Sequence, residues 1–332
     1  MNNTPMLPPE KILIIDELVK KKYSNIRGLS IFQNENHVLE TYYGRNTKND
    51  KFNVASITKS VISLLIGIAI DKGYIRSVNE KVIDFFPEYK FTDNNVLRNQ
   101  ITIKNLLTMT APFPFPNMRE PLTRLCRQND WVEYALQIMG TGGRIGTFKY
   151  STSGAHLLSA ILTKATKMSA REFANKHLFE PLSIETVPNF PMKFDIDHVF
   201  GRKMKGWVSD PLGNNSGGWG LTLTLNEMSK LGQLCLQEGY FNGKQIISKE
   251  WLEESTRQVK NSYGYYGYLW WVRDNKDEYM AVGSGGNIIY INKNKRIVIA
   301  IASTIISKPA DRQELIDKIL SILYPVKGEI GR

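Results

Sequence analysis

The stretch Val54-Ala-Ser56-Ile-Thr-Lys59-Ser-Val-Ile-Ser-Leu-Leu-Ile-Gly-Ile-Ala-Ile70 decides the fold, because it is almost unbroken in its apolar character from residue 61 onward. A helix that is apolar on every side is buried in a core, so this stretch predicts a central helix. Ser56 and Lys59 are three residues apart and lie on one face of that helix, one turn from each other. Its N-terminal end carries partial positive charge and free backbone N–H groups.

A serine at the mouth of such a helix has the chemistry of a nucleophile. The amine of Lys59 is within reach of the Ser56 hydroxyl, and the backbone amide of Ser56 can face a developing oxyanion. Serine–lysine pairs are one recurring form of the nucleophile–base arrangement. The S-x-x-K pattern is weak by itself, since a chain of this length contains about one by chance, and two solvated helix positions are the alternative interpretation.

The composition predicts one large domain or two intimate ones with a sizeable core, since the chain has 332 residues. Its formal net charge is +11, but the Lys and Arg residues are spread along the chain. This spread favours a basic soluble surface over a site for anionic polymers. Basic and aromatic residues do not interleave as in a nucleic-acid groove, so no nucleic-acid partner is expected.

The compartment is predicted from cysteines and apolar runs. Cys126 and Cys235 lie far apart without metal spacing, which fits a reducing compartment. The N-terminal residues lack a charged region followed by an apolar core, so no signal peptide is expected. The run 61–70 is far shorter than the ~20 residues that span a bilayer. We therefore expect a cytoplasmic protein without membrane insertion; the sequence assigns no oligomeric state.

Strand patterns lie towards both ends of the chain, with a mainly helical block between them. The predicted strands are 28–32, 37–43, 268–272, 279–282, 287–291 and 296–302. An antiparallel sheet built from both ends and packed with helices is an α+β arrangement. We expect a discontinuous α/β domain of residues 1–74 and 206–332, a mainly helical domain of residues 75–205, and an active site between them.

Several other kinds of site are excluded by their missing motifs. The chain has no G-x-S-x-G elbow, no H-E-x-x-H and no complete phosphate-binding glycine loop. No metal site and no nucleotide-binding loop are therefore predicted, and the pair Ser56 and Lys59 is the best nucleophile candidate. Tyr150 stands between a glycine-rich loop and a helix, and a buried tyrosine beside an ammonium ionises more readily. Tyr150 is thus a candidate partner, and an ordinary half-buried aromatic is the alternative.

A series of short motifs runs through nearly the whole chain in a fixed order. They are Val54-Ala-Ser56-Ile-Thr-Lys59, Val82-Ile-Asp-Phe-Phe-Pro-Glu88, Ile101-Thr-Ile-Lys-Asn-Leu-Leu-Thr-Met-Thr110, Phe148-Lys-Tyr150-Ser-Thr152 and Gly283-Ser-Gly-Gly286. Together they resemble the serine β-lactamase-related family, which includes class C β-lactamases, DD-peptidases, related esterases and 6-aminohexanoate-dimer hydrolases. Each motif is weak alone, but their order and spacing together are highly specific.

The resemblance implies a β-lactamase/transpeptidase-like fold and assigns roles to residues. Ser56 would be the acylated nucleophile, and Lys59 and Tyr150 would share the acid and base work. The backbone amides of Ser56 and Asn287 would form the oxyanion hole, and no cofactor is implied. The candidate substrate-binding residues are Thr152, Trp219, Ser284, Gly285, Gly286 and Asn287. For Trp219, as for Tyr265 and Trp270, a place in the core is the alternative.

Three positions depart from the family pattern. Thr152 stands where β-lactamases commonly have Asn, and Met109 replaces a frequent His. Ser284 stands where β-lactamases and DD-peptidases carry Lys, which supplies positive charge to a substrate carboxylate. A serine offers a hydrogen bond without that charge, and charge-assisted bonds are about twice as strong.

These departures shape the expected function. The sequence predicts a serine hydrolase that acts through an acyl-enzyme on a small ester, amide or peptide substrate, with inefficient β-lactam hydrolysis. The alternative is a penicillin-binding or DD-peptidase-like protein, or a ligand-binding sensor that turns over slowly.

Overall fold

The computed structural model describes residues 6–91, 93, 95–192, 204–261, 264–273 and 277–325. Within these ranges the helices are α1 (Pro9–Lys22), α2 (Ile57–Asp71), α3 (Ile103–Leu107), α4 (Leu122–Cys126), α5 (Trp131–Ile138), α6 (Thr152–Thr166), α7 (Ala170–Ala174), α8 (Leu225–Leu236), α9 (Lys249–Ser255) and α10 (Arg312–Leu323). Short 3₁₀ helices cover Val82–Phe85, Arg98–Gln100 and Ser284–Gly286, and a π-helical turn covers Asn175–Phe179.

The strands in the same ranges are β1 (Ile26–Gln33), β2 (Asn36–Tyr42), β3 (Phe52–Asn53), β4 (Asn189–Pro191), β5 (Trp207–Ser209), β6 (Thr222–Leu223), β7 (Tyr240–Phe241), β8 (Lys244–Gln245), β9 (Val259–Asn261), β10 (Gly264–Tyr266), β11 (Trp271–Val272), β12 (Glu278–Gly283), β13 (Asn287–Asn292) and β14 (Ile297–Ser303). The strand predicted over 268–272 is shorter than expected, because Leu269 adopts a positive φ of 63°, which ends extended pairing.

Among the described strands, eight form one antiparallel sheet in the order β2-β1-β14-β13-β12-β11-β10-β9. Strand β1 pairs with β14 through Ser30 and Ala300, so the two ends of the chain meet within the sheet. On the other side of β14, Ala300 pairs with Ile289 of β13. The predicted α+β class, with a sheet drawn from both ends, is confirmed.

Side chains of β14 alternate between two cores, as the two-residue period of a strand requires. Ile297, Ile299 and Ile301 pack in the cluster that includes residues of α1 and α10. Val298, Ala300 and Ala302 belong to the larger cluster that includes α2, α6 and α8. The terminal helices therefore cover one face of the sheet, and the helix that begins after Ser56 lies against the other.

The central helix α2 is buried on every side, as its apolar sequence predicts. All residues from Ile57 to Ala69 are buried, and Lys59 among them is only 1% exposed. Ser56 is the N-cap residue of α2, but its side chain makes no capping hydrogen bond. The Ser56 hydroxyl is therefore not used to hold the helix end.

Residues 75–205 contribute no strand to the large sheet within the described part of the chain. They carry α3 to α7, and α6 packs against both α5 and α2. The division at residues 74 and 206 stays a prediction; the short parallel pair of β4 and β5 crosses its second boundary. Over the described ranges, no helix combines the length and the apolar character needed to cross a bilayer.

Candidate active site

Ser56 is placed by a tight turn between β3 and α2. Ala55 has a φ of +49°, a left-handed conformation that costs about 1–2 kcal/mol for a residue with a Cβ. The Asn53 side chain supports the turn by accepting a hydrogen bond from the Ala55 amide at 3.0 Å. The following amides, those of Ile57 and Thr58, donate to the carbonyls of Val54 and Ala55. The turn thus presents a half-buried Ser56 at the positive end of α2.

The Lys59 amine lies beside the Ser56 hydroxyl, as the spacing predicts. Lys59 Nζ is 3.2 Å from Ser56 Oγ, 3.3 Å from Thr152 Oγ1 and 2.7 Å from the carbonyl oxygen of Gly218. These three acceptors match the three donors of an ammonium. In the described residues, no carboxylate lies within 4.0 Å of this nitrogen.

Burial changes the protonation of this amine. It lowers the pKa of Lys59 to about 7, although the negative charge of Glu120 opposes the fall. A lysine with a pKa near the working pH is present partly as the neutral amine, the form that can accept a proton. An amine with the chemistry of a base therefore lies next to the candidate nucleophile.

Tyr150 completes the group, but its chemistry differs from the expectation. Burial raises the pKa of its phenol to about 12, although a hydrogen bond with Ser56 lowers it and the charge of Glu120 raises it further. Lys59 Nζ lies 4.7 Å from the centre of the Tyr150 ring, so the amine faces the ring in cation–π geometry. The prediction that Tyr150 ionises readily beside an ammonium is therefore wrong, because burial disfavours the charged phenolate.

The Tyr150 ring is held in place by aromatic neighbours. It stacks on Trp271 at a centroid distance of 5.8 Å and an interplanar angle of 26°. Its edge contact with Tyr266 has a centroid distance of 6.4 Å, and its backbone amide donates to Asn117 Oδ1 at 2.8 Å. The phenol is thus fixed in orientation beside Ser56 and remains protonated at neutral pH.

Glu120 is a member of the site that the sequence analysis did not find. Its carboxylate accepts hydrogen bonds from the backbone amides of Thr152 and Ser153 and from the Ser153 hydroxyl. These amides begin α6, where the first N–H groups of a helix need partners from outside it. The sequence indicated only that the first backbone N–H groups of this helix need acceptors. That requirement does not identify an acceptor about thirty positions away.

A second glycine-rich loop, residues 210–220 before β6, supplies the Gly218 carbonyl oxygen that accepts a hydrogen bond from Lys59. Added Cβ atoms would meet the Ala155 carbonyl oxygen at 1.9 Å from Gly217 and the Thr152 side chain at 2.4 Å from Gly218. These two positions allow the loop to lie directly on α6. The buried pair of His156 Nε2 and Asp210 Oδ2, 3.1 Å apart, ties the same loop to α6.

The turn after β12 is tied to the segment before Ser56. The Asn287 side chain donates to the carbonyls of Ser284 at 2.9 Å and Asn53 at 3.3 Å, and it accepts from the Ser303 amide at 2.8 Å. At Gly283, an added Cβ would lie 2.2 Å from the Val54 carbonyl oxygen. Asn287 and Gly283 therefore lie next to the segment that precedes Ser56, whereas an added Cβ would face Ile305 at Gly285 and Arg312 at Gly286.

Two predicted substrate-binding residues have surroundings that bear on their roles. Ser284 is exposed and lines a cavity of about 280 Å³ with Asp311 and Arg312. Trp219 is 4% exposed and packs 6.1 Å from the Trp131 ring centre in a buried cluster. For Trp219, and for Trp270 at 1% exposure, this burial favours the alternative of a core residue.

Among the described residues, no group of three His, Cys, Asp or Glu side chains is arranged to hold a metal ion.

Comparison with known proteins gives a family match over most of the chain. Residues 15–324 match the family described as Beta-lactamase. An uncharacterised protein of Alkalihalophilus pseudofirmus is 25% identical over 279 residues, which cover 74% of this chain and 71% of that protein.

Solved structures share the fold at low sequence identity. A protein provisionally described as a 6-aminohexanoate-dimer hydrolase from Bacillus anthracis has a TM-score of 0.70 and 20% identity, covering 93% of this chain and 80% of that one. An octameric penicillin-binding protein homologue from Pyrococcus abyssi has a TM-score of 0.71 and 19% identity, covering 94% and 76%. These similarities confirm the predicted β-lactamase/transpeptidase-like fold.

Proposed function

The chain belongs to the beta-lactamase family, which supports a function of the serine hydrolase type, and from this premise we propose that it cleaves a small ester or amide through an acyl-enzyme on Ser56. The observation that carries the proposal is the 3.2 Å contact between Lys59 Nζ and Ser56 Oγ. Burial lowers the pKa of Lys59 to about 7. A nucleophile and a base are therefore in contact, and the base is partly neutral at neutral pH.

The proposed reaction begins when Ser56 Oγ attacks the substrate carbonyl carbon. The hydroxyl proton moves to the neutral Lys59 amine as the new C–O bond forms. The backbone amides of Ser56 and Asn287 are the proposed donors to the oxyanion, and the positive end of α2 favours that charge.

The intermediate collapses when the bond to the leaving group breaks. Tyr150, a phenol at neutral pH, passes a proton to the leaving oxygen or nitrogen and is reprotonated from Lys59. Water then attacks the acyl-enzyme by the same route in reverse, which restores Ser56. The hydrogen bond between Ser56 and Tyr150 supports this path for the proton.

The proposed substrate class rests on the uncharged side chains at positions 284 and 152. The guanidinium of Arg312, in the same cavity as Ser284, already donates to the carbonyls of Gly286 and Ala310 and to the Asn25 side chain. Ser284 provides no positive charge for a substrate carboxylate, and Thr152 replaces an amide side chain with a hydroxyl. We therefore propose an acyl substrate without a carboxylate at this point, and slow reaction with β-lactams. A protein that binds penicillins and turns over slowly is the second candidate, favoured by the same two residues.

The test is intact mass after incubation with a fluorophosphonate and, separately, with a penicillin. We expect an adduct with the fluorophosphonate that maps to Ser56 and turnover of p-nitrophenyl esters. The Ser56→Ala variant should lose both. Ser63→Ala is the matched control, because it removes a buried hydroxyl from the same helix outside the group around Lys59.

Each result has a distinct meaning. A stable penicillin adduct without ester turnover would support the second candidate instead. Labelling that persists in Ser56→Ala, or no labelling of the folded wild-type protein, would overturn the assignment of Ser56.

A further inference from the structure

Glu120 places a carboxylate beside the site, although no step of the proposed reaction uses it. Its Oε1 accepts from the Ser153 amide at 2.9 Å and from the Ser153 hydroxyl, and its Oε2 accepts from the Thr152 amide. Every one of these partners donates a hydrogen to Glu120. Burial raises the pKa of the Glu120 carboxyl, whereas these hydrogen bonds and the positive charge of Lys59 oppose the rise because they favour the ionised carboxylate.

These bonds cap α6 from outside the helix. The Ser151 side chain accepts a hydrogen bond from the Gly154 amide at 2.9 Å. Glu120 accepts hydrogen bonds from the two preceding amides, those of Thr152 and Ser153. A carboxylate at a helix N-terminus is also favoured by the helix dipole. Glu120 thereby fixes Thr152, whose hydroxyl oxygen lies 3.3 Å from Lys59 Nζ.

Among the described groups around Lys59, one acid acts on its amine. The Lys59 amine contacts Ser56 at the start of its own helix and Thr152 of α6. It also contacts the backbone carbonyl of Gly218 in the glycine-rich loop before β6. The Tyr150 ring covers it from the segment before α6. In the described residues, Glu120 is the acid whose charge acts on Lys59, and the other ionisable groups around that carboxylate are Cys126, Tyr134 and Tyr150.

We propose that Glu120 is a positioning residue for the Lys59 base, which holds Thr152 against the amine and balances the positive charge that forms when Lys59 takes the proton of Ser56. The inference rests on the proposed function of Ser56. A buried ammonium without a compensating charge is strongly disfavoured, so proton transfer inside this site needs a nearby anion. Glu120 supplies it from behind Thr152, where it leaves the Ser56 hydroxyl free to react.

The test compares three variants by the pH dependence of Ser56 labelling with a fluorophosphonate. Glu120→Gln keeps the size of the side chain and one acceptor oxygen but removes the charge. We expect the acid-side midpoint to move down by about one pH unit, the shift typical of a lost opposite charge nearby, and the limiting rate to fall about tenfold. Glu120→Asp keeps the charge and should retain a midpoint close to that of the wild type.

Glu172→Gln is the matched control. Glu172 also accepts a backbone amide at a helix N-terminus, from Ser169 at 2.9 Å in the capping box of α7, and its removal should leave the midpoint unchanged. An unchanged midpoint in Glu120→Gln, with only a lower rate, would reduce Glu120 to a structural cap and overturn the proposal. If Glu120→Gln does not fold, Ser153→Ala is tested instead. This variant removes the hydroxyl that donates to the Glu120 carboxylate, so the acid-side midpoint should move in the same direction by a smaller amount.

A second readout does not depend on activity. The proposal requires Glu120 and Lys59 to be energetically coupled, so the loss of Tm caused by Glu120→Gln at pH 6 should be clearly smaller in a Lys59→Met background. Additive effects would overturn the proposal even in an inactive protein. By contrast, energetic coupling between Glu120 and Lys59 without any labelling of Ser56 would support the interaction of these two residues. It would overturn the proposed hydrolase function.

Discussion

The side-chain nitrogen of Lys59 lies 2.7 Å from the backbone carbonyl oxygen of Gly218, closer than its 3.2 Å separation from the hydroxyl of Ser56. The amine is thus anchored by a backbone group that cannot titrate. Because this carbonyl belongs to a loop packed on α6, the position of the base depends on the contact between loop and helix.

Replacement of Lys59 by methionine should stabilise the protein while it abolishes activity. Burial lowers the pKa of Lys59 to about 7 in the folded chain, whereas an unfolded lysine titrates near 10.5. The unfolded chain therefore binds more protons between these values, and wild-type stability rises with pH across this range. We expect Lys59→Met to gain about 1–3 kcal/mol near pH 7, after the loss of its hydrogen bonds, and to lose this advantage towards pH 10.5.

Urea unfolding at several pH values measures this gain. The exposed Lys244 on β8 provides the control, since Lys244→Met should show no pH-dependent gain. A Lys59→Met variant that is less stable than the wild type from pH 6 to pH 10 would contradict a buried, destabilising amine.

Tyr150→Phe should lower the labelling rate of Ser56 about 10²-fold, the typical loss for a removed general acid. The ring contacts with Trp271 and Tyr266 are kept, so the Tm should change little. Because burial raises the pKa of Tyr150 to about 12, the wild-type rate should stay level between pH 8 and pH 10. Tyr268→Phe, which removes a hydroxyl bonded to Glu254, serves as the control; a wild-type rate that falls in that pH range would mean that the phenol ionises there.

Gly217→Ala should displace the loop that anchors Lys59. The new Cβ would lie 1.9 Å from the Ala155 carbonyl oxygen. Because this oxygen is a backbone atom of α6, the loop or the helix would have to shift. We expect a loss of about 1–3 kcal/mol in the free energy of unfolding and at least a tenfold fall in labelling. In Gly213→Ala the Cβ meets nothing within 4 Å; that variant should suffer only the strain of its φ of +90° and keep its activity.

Asp210→Ala should destabilise the protein by about 3–5 kcal/mol, as for a broken buried pair. Burial raises the pKa of Asp210, but the interaction with His156 and the hydrogen bonds from Asn214 together outweigh burial, so the pKa lies below its usual value. The stabilisation by this carboxylate is therefore present above the unfolded pKa near 4 and is lost as the pH falls through the lower, folded value. Chemical denaturation at pH 7 and pH 3 should show the difference shrink, whereas Asp317→Ala, at an exposed pair with Arg273, should cost less than about 1 kcal/mol at either pH.

The elements of the sheet and its central helix could be predicted because their signals are local. The apolar run after Ser56 predicts a buried helix wherever it packs, and the alternating and apolar runs near both ends predict strands. The sequence predicted a sheet built from both ends but not the pairing of β1 with β14, since no local pattern specifies a partner so far along the chain.

The candidate site was predictable where a motif spans one turn of helix and less so where its parts come from distant loops. Ser56 and Lys59 lie as their spacing requires, and Tyr150 joins them. Glu120 and the Gly218 carbonyl were missed, because neither a capping carboxylate from another loop nor a backbone acceptor leaves a pattern in the sequence. The ionisation of Tyr150 was predicted wrongly because desolvation depends on packing by Tyr266 and Trp271, which the sequence does not display.

The antiparallel pairing of β1 with β14 has a consequence for how the protein is made. Ser56 and α2 leave the ribosome long before β12, β13 and β14, the strands that pack against α2 or complete its sheet. Contacts between such distant segments form slowly and late. The contacts of α2 with β12 and β13 therefore form only after those strands have been synthesised, and the surroundings of Ser56 are completed late in translation.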